Sequence, residues 1–193
     1  DMGAASVRFL HACPFALAWL VLLTLGFGLD LPGPSAPFVA WIITGSIAQI
    51  TFTFLLMWLF SFSNFTVGTA LSKTEVIQVV VLEAILLREL ISGLATAAVM
   101  LATVGVLIMT AGKSKLSIAS LASGLRQKST VIGLACGFFL GLSAVLFRGA
   151  ALSLEGNSIL ATSAYTLAVA TVFQSIMMFV WLYNREPGQI TGT

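Results

Sequence analysis

The sequence predicts an all-α integral membrane protein, a bundle of long apolar helices. Three observations carry that reading. Mean hydropathy is +1.06. Hydrophobic residues make up 59% of the 193-residue chain and charged residues only 8%, against about 25% charged in soluble domains. The apolar residues also fall into runs of twenty or more. A bilayer-crossing helix needs roughly 20 of them at 1.5 Å rise each. A transmembrane barrel would instead alternate over about ten residues. Within hydrocarbon, unbroken apolar runs satisfy their backbone polar groups only as helices.

Six runs qualify. Residues 9–29 carry only His11, and 38–62 carry no charge. The third, 65–88, holds Lys73, Glu75 and Glu83 and ends on Arg88. Residues 90–111 are uncharged, 130–154 are uncharged until Arg148, and 157–183 are uncharged throughout. Between the first two runs, LDLPGPSAP (29–37) is a proline-rich turn that cannot be helical through its middle. The longer connection, 111–130, holds four of the nine Lys/Arg residues. The chain starts with Asp1, lacks a basic, cleavable leader, and reads as a piece of something longer.

Charge and cysteine usage exclude several functions. A net charge of +2 with scattered basic residues makes no nucleic-acid surface. Cys13 and Cys136 lie within apolar runs and read as small hydrophobes. His11 has no ligand-spaced partner, so neither a metal nor a cofactor is expected. No nucleophile–base or metal-spaced constellation marks an enzyme. The sequon Asn64-Phe65-Thr66 sits at a membrane edge and carries little weight. Across six spans, Arg8, Lys113, Lys115, Arg126, Lys128 and Arg185 fall on one side and Arg88 and Arg148 on the other. Positive charge concentrates in cytoplasmic loops, so the first side reads as cytoplasmic.

Packing in lipid depends on small residues that let backbones approach. Gly133, Gly137 and Gly141 form a doubled GxxxG on the fifth run. Thr96, Thr103 and Thr110, flanked by Ala95, Ala98, Ala102 and Gly105, predict a second close face on the fourth.

The polar residues inside the runs are the candidate site. A charge at mid-helix costs about 2.5–3.5 kcal/mol. With 65–88 as the span, Lys73 and Glu75 lie within about 6 Å of the midplane at 1.5 Å per residue. They are two residues apart and face different sides, so they do not cancel each other. Each needs a partner on another helix, or water. Glu75 and Gln78 share a face. Gly45, Gln49 and Thr53 line a stripe on the second run, Arg148 ends the fifth, and Tyr165 and Gln174 are the polar groups of the sixth. The bland reading is structural, with these groups holding the bundle in register and Arg88 and Arg148 snorkelling to headgroups. The functional reading is a water-filled cavity at mid-depth, since intramembrane ionisable groups are by default candidates for a solute or proton path.

Some of these residues also carry a family likeness. Ala70-Leu71-Ser72-Lys73-Thr74, then Arg88-Glu89, then Gly105-Val106-Leu107-Ile108 resemble the third-to-fifth-helix region of the drug/metabolite transporter superfamily, EamA-type branch. SVRFLHACPFAL is similar to the element that opens that family's second helix. The turn at LLREL departs from the family pattern in having no glycine. The resemblance implies a ten-helix carrier of two inverted repeats. Residues 1–112 would then end the first repeat (helices 2–5), 113–129 would link the repeats, and 130–193 would begin the second (helices 6–7). It further implies multi-pass insertion in the cell membrane and alternating access around a central cavity. Lys73 and Gln49 would contact an anionic or polar small-molecule substrate, and Glu75 would carry a coupling proton. The family's usual topology puts the 111–130 loop outside the cell and the charge count puts it inside, so both orientations stand. A channel or a structural membrane subunit is the alternative function. Oligomeric state is not legible.

Overall fold

The structure, a computed structural model, describes residues 2–62, 72, 74–88, 93–113, 128–156 and 158–185. Six helices account for nearly all of them: α1 (Met2–Val21), α2 (Ala36–Phe60), α3 (Glu75–Leu86), α4 (Gly93–Lys113), α5 (Lys128–Leu152) and α6 (Ile159–Arg185). There is no strand among the described residues. Four helical stretches are long and apolar enough to cross a membrane: Val7–Gly26, Ala36–Phe60, Lys128–Leu152 and Ile159–Asn184. They correspond to the first, second, fifth and sixth predicted runs. In the third run, α3 accounts for 12 described residues, while 63–71 and 73 lie outside the description. In the fourth, the apolar stretch with described side chains is Thr96–Gly105.

Local chemistry explains where the helices begin and end. The first helix starts seven residues before the predicted run, because MGAASVR is compatible with helix and one arginine at its end does not stop it. It widens into a π-turn over Leu22–Gly26 and stops at Gly28, whose φ of 64° is a left-handed cap. The closing bond, Leu29 N–H to the Leu23 carbonyl, spans six residues rather than the usual five, as the wider turn requires. Residues 28–35 are not helical, in keeping with the prolines. Ser35 then caps α2: its hydroxyl accepts from Phe38 N–H at 3.2 Å and donates to the Ser153 carbonyl at 3.1 Å. Ser158 caps α6 in the same way, accepting from Ala161 N–H at 3.4 Å. After α3, Arg88 adopts φ 55°. The turn without a glycine therefore forces a side-chain-bearing residue into the left-handed region, at a cost of about 1–2 kcal/mol.

The chain packs as two compact units. The first comprises residues 1–50 and 146–193. In it α1 lies against α6, with Phe9 near Ser175 and the Gly28 end near Ser158, so the two helices run antiparallel. Pro14 removes one N–H from α1. One turn earlier, the Phe9 carbonyl accepts a buried hydrogen bond from the Ser175 hydroxyl at 3.0 Å. The buried residues of α6 form two stripes. Ala161, Ala164, Ala168, Thr171, Ser175, Met178 and Leu182 alternate three and four apart, the spacing of a helix–helix seam. Thr162, Thr166, Ala170 and Gln174 recur every four. Ala170 joins a core of Phe38, Ile42, Ala150 and Leu154. The buried threonines satisfy themselves within the helix: Thr166 donates to the Thr162 carbonyl at 2.7 Å and Thr171 to the Leu167 carbonyl at 2.9 Å.

The second unit comprises residues 51–145. The carboxyl-terminal part of α2 and the amino-terminal part of α5 share a core of Phe52, Leu59, Ile132 and Cys136. Helix α3 contacts α4. On the small-residue face predicted on α4, Ala98 and Ala102 are exposed, and a Cβ at Gly105 would meet nothing within 4 Å among the described residues. Thr103 is buried but donates to its own Val99 carbonyl at 2.8 Å rather than across helices. The side chains of Ala95 and Thr110 lie outside the description.

Candidate functional site

The second unit holds the closest convergence of polar groups with backbone. Helix α3 begins at Glu75, after Thr74 and the buried Ser72. Thr74 makes no side-chain cap to α3, but the Glu75 carboxylate in the first turn suits the helix dipole. Gln78 lies one turn further on. Its Nε2 donates to the Thr74 hydroxyl at 3.1 Å. Its Oε1 is buried and accepts no hydrogen bond among the described residues.

Two of the three predicted packing glycines bring α5 against this polar turn. A Cβ at Gly137 would lie 2.8 Å from the Ser72 carbonyl oxygen and 3.4 Å from both Glu75 N and Gln78 Nε2. One turn along, a Cβ at Gly141 would lie 3.0 Å from a Val79 methyl and 3.5 Å from the Glu75 carbonyl oxygen. No larger residue leaves room for α3 at this distance. Gly133 is also buried. An adjoining face of α5 carries Cys136 into the apolar core, so the helix is held on two sides. Thr53 is buried on α2, beside the core residue Phe52.

Of the eight residues predicted to contact substrate, Thr53, Glu75 and Gln78 belong to this unit, and Lys73 lies outside the described residues. The other four belong to the first unit. There Gln49 is half-buried and Arg148 exposed. Tyr165 is half-buried, its ring 5.6 Å from that of Phe38. Gln174 is buried. That unit also packs a glycine tightly: a Cβ at Gly45 would lie 2.9 Å from the Phe147 ring and 3.2 Å from Leu146 Cβ. Beside it, Ser46 is fully buried, and its hydroxyl meets no hydrogen-bond partner among the described residues.

Ser46 and Thr74 are not among the residues that the sequence predicts to contact substrate. A small Gly-Ser pair inside a long apolar run is the signal that points to Ser46. For Thr74, the signal is its position four residues before Gln78, which puts the two side chains on one helix face.

At the loop end of the first unit, Gly28–Pro32 and Glu155, Gly156 and Ser158 surround an open cavity of about 530 Å³. Asp30 and Glu155 give it two carboxylates. Among the described residues no group of three or more His, Cys, Asp or Glu side chains is arranged to hold a metal ion. Compared with models of known protein families, with curated proteins and with solved structures, the chain matches none.

Proposed function

We propose that this protein is a multi-pass secondary transporter of the cell membrane, moving a small polar metabolite or drug by alternating access through a central polar cavity. The observation that carries the reading is that Ser72, Glu75 and Gln78 pack on the glycine face of α5, with Thr74 hydrogen-bonded to Gln78. Four helices long and apolar enough to span fit a membrane protein. Within such a protein, ionisable and amide groups on an apolar helix are retained where they meet solute or water. The glycine face lets α3 and α5 approach closely, which suits a protein that alternates between conformations and equally a static bundle. The likeness of the LSKTE stretch and its flanks to EamA-type carriers points the same way, and with it the ten-helix inverted repeat. In this reading Lys73 and Gln49 contact the substrate and Glu75 carries the coupling proton, as in carriers whose binding sites lie near the midplane.

The test is flux. Proteoliposomes containing the protein are to be assayed with labelled amino acids, small metabolites and lipophilic drugs, with and without a proton gradient. Saturable, gradient-driven uptake is expected. Lys73→Ala should abolish it, and Glu75→Gln should uncouple it from the gradient while leaving exchange. Flux that rises linearly with concentration would instead mark a channel, and absence of flux for every solute would mark a structural subunit.

A further inference from the structure

We infer that the Gln78 carbonyl oxygen is a binding point for a hydrogen-bond donor from outside the chain, an N–H or O–H group of water or of a solute, so that the site selects donors over acceptor-only anions. The inference rests on the carrier reading above and narrows its substrate class. A glutamine amide has one acceptor oxygen and two N–H donors. Here the nitrogen donates to the Thr74 hydroxyl at 3.1 Å, which leaves the oxygen on the other side of the amide. The oxygen points into the protein and is buried without a donor among the described residues. A buried carbonyl with no partner is costly, and native structures seldom leave one empty. An ordered water or a ligand is the usual explanation.

The side chain is half-buried, with its amide end at the helix contact. Gln78 Nε2 lies against the Gly137 position, where the two helices come closest. The amide is therefore pinned by a hydrogen bond on one side and by the α5 backbone on the other. The groups around it, the Thr74 hydroxyl and the Glu75 side chain one turn back, make a polar edge on a helix otherwise built of Val, Ile, Leu and Ala. Such an edge offers oxygen atoms, which favours ammonium, amide or hydroxyl groups.

The test uses the whole chain in membranes, with Cys13→Ala and Cys136→Ala as background. Gln78→Cys is treated with the hydrophilic, positively charged thiol reagent methanethiosulfonate ethylammonium. Val81→Cys on the same helix is the reference, because Val81 is 52% exposed and faces the surroundings of the helix. Modification at position 78 should be at least about tenfold faster than at 81, because apolar surroundings suppress the reactive thiolate and water supports it. Thr74→Cys, which keeps the Gln78 carbonyl, is treated alongside, and slowing of its reaction by ethylammonium or urea, and not by acetate, identifies a solute donor. Rapid reaction that none of the three slows identifies water. Either result sustains the inference. No modification at position 78, or protection by acetate alone, overturns it.

Gln78→Leu gives a second reading that does not depend on the cysteine variants folding. Thermal stability should fall or stay level if a donor satisfies the oxygen. A rise would mean that the amide is an unpaired burden in a dry seam, and would overturn the inference. Rapid modification without any flux in proteoliposomes would retain the donor site and remove the carrier reading. Flux without modification would do the reverse.

Discussion

Each unit of this protein has a glycine in a helix that leaves no room for a Cβ, but against different neighbours. In the first, Gly45 faces the ring of Phe147 and the Cβ of Leu146. In the second, Gly137 faces the carbonyl oxygen of Ser72 and the backbone nitrogen of Glu75. An aromatic ring can tilt to admit a methyl group. A backbone carbonyl at the mouth of a helix can move only if the helix moves with it. The first contact is packing that tolerates adjustment, and the second sets the position of a polar turn. That difference is why the second unit is the better place to look for function.

The largest effect should come from Gly137→Ala. Overpacking a close contact costs typically about 1–3 kcal/mol, and here the clash is with backbone, so a net cost of about 2 kcal/mol is expected after the roughly 1 kcal/mol gain from a better helix former. Thermal unfolding in detergent should show the loss. Because α3 is pushed away, any flux should fall more than the melting temperature alone would explain. An unchanged melting temperature would mean that α3 does not sit on α5 as described.

Gly45→Ala should be milder. The Phe147 ring must give way, at a cost near 1 kcal/mol after the roughly 1 kcal/mol gain from a better helix former is set against the overpacking. A cost equal to that of Gly137→Ala would erase the distinction between the two contacts. Replacing Phe147 with leucine alongside Gly45→Ala should recover stability, whereas no single side-chain replacement should rescue Gly137→Ala.

Arg88→Gly should stabilise by up to about 1 kcal/mol, since glycine takes the left-handed conformation without the steric cost that arginine meets there. Failure to stabilise would show that the arginine side chain compensates locally. Gly105→Ala, on the open face of α4, should have the smallest effect: neutral, or stabilising by less than about 1 kcal/mol. Destabilisation there would reveal a neighbour on that face.

Helix existence was legible in the run lengths, and helix ends largely in single residues. Ser35 and Ser158 lie immediately before two of the apolar runs as the structure bounds them, and both act as caps. The exception is α1. Its start could not be found from hydropathy, because Arg8 interrupts the apolar run without interrupting the helix. Its π-turn has no marker in the sequence either. At the candidate site, the shared face of Glu75 and Gln78 and the common stripe of Gly137 and Gly141 follow from helical periodicity. The partnership between those two faces does not. On α4 the same kind of reasoning named a small-residue face of which Thr103 is buried while Ala98, Ala102 and Gly105 stay open among the described residues.

By itself the sequence determined the class of solvent: 59% hydrophobic and 8% charged residues cannot cover a water-facing surface, so the apolar runs become helices. It also determined which residues share a helix face, because 3.6 residues per turn is a property of the backbone alone. Only the tertiary structure decided which face meets which. In a membrane protein, lipid-facing and helix-facing surfaces are equally apolar, and no hydrophobic contrast tells them apart. The choice falls to close steric fit, such as a missing Cβ at Gly137 beneath the Ser72 carbonyl, which becomes visible only when both helices are in place.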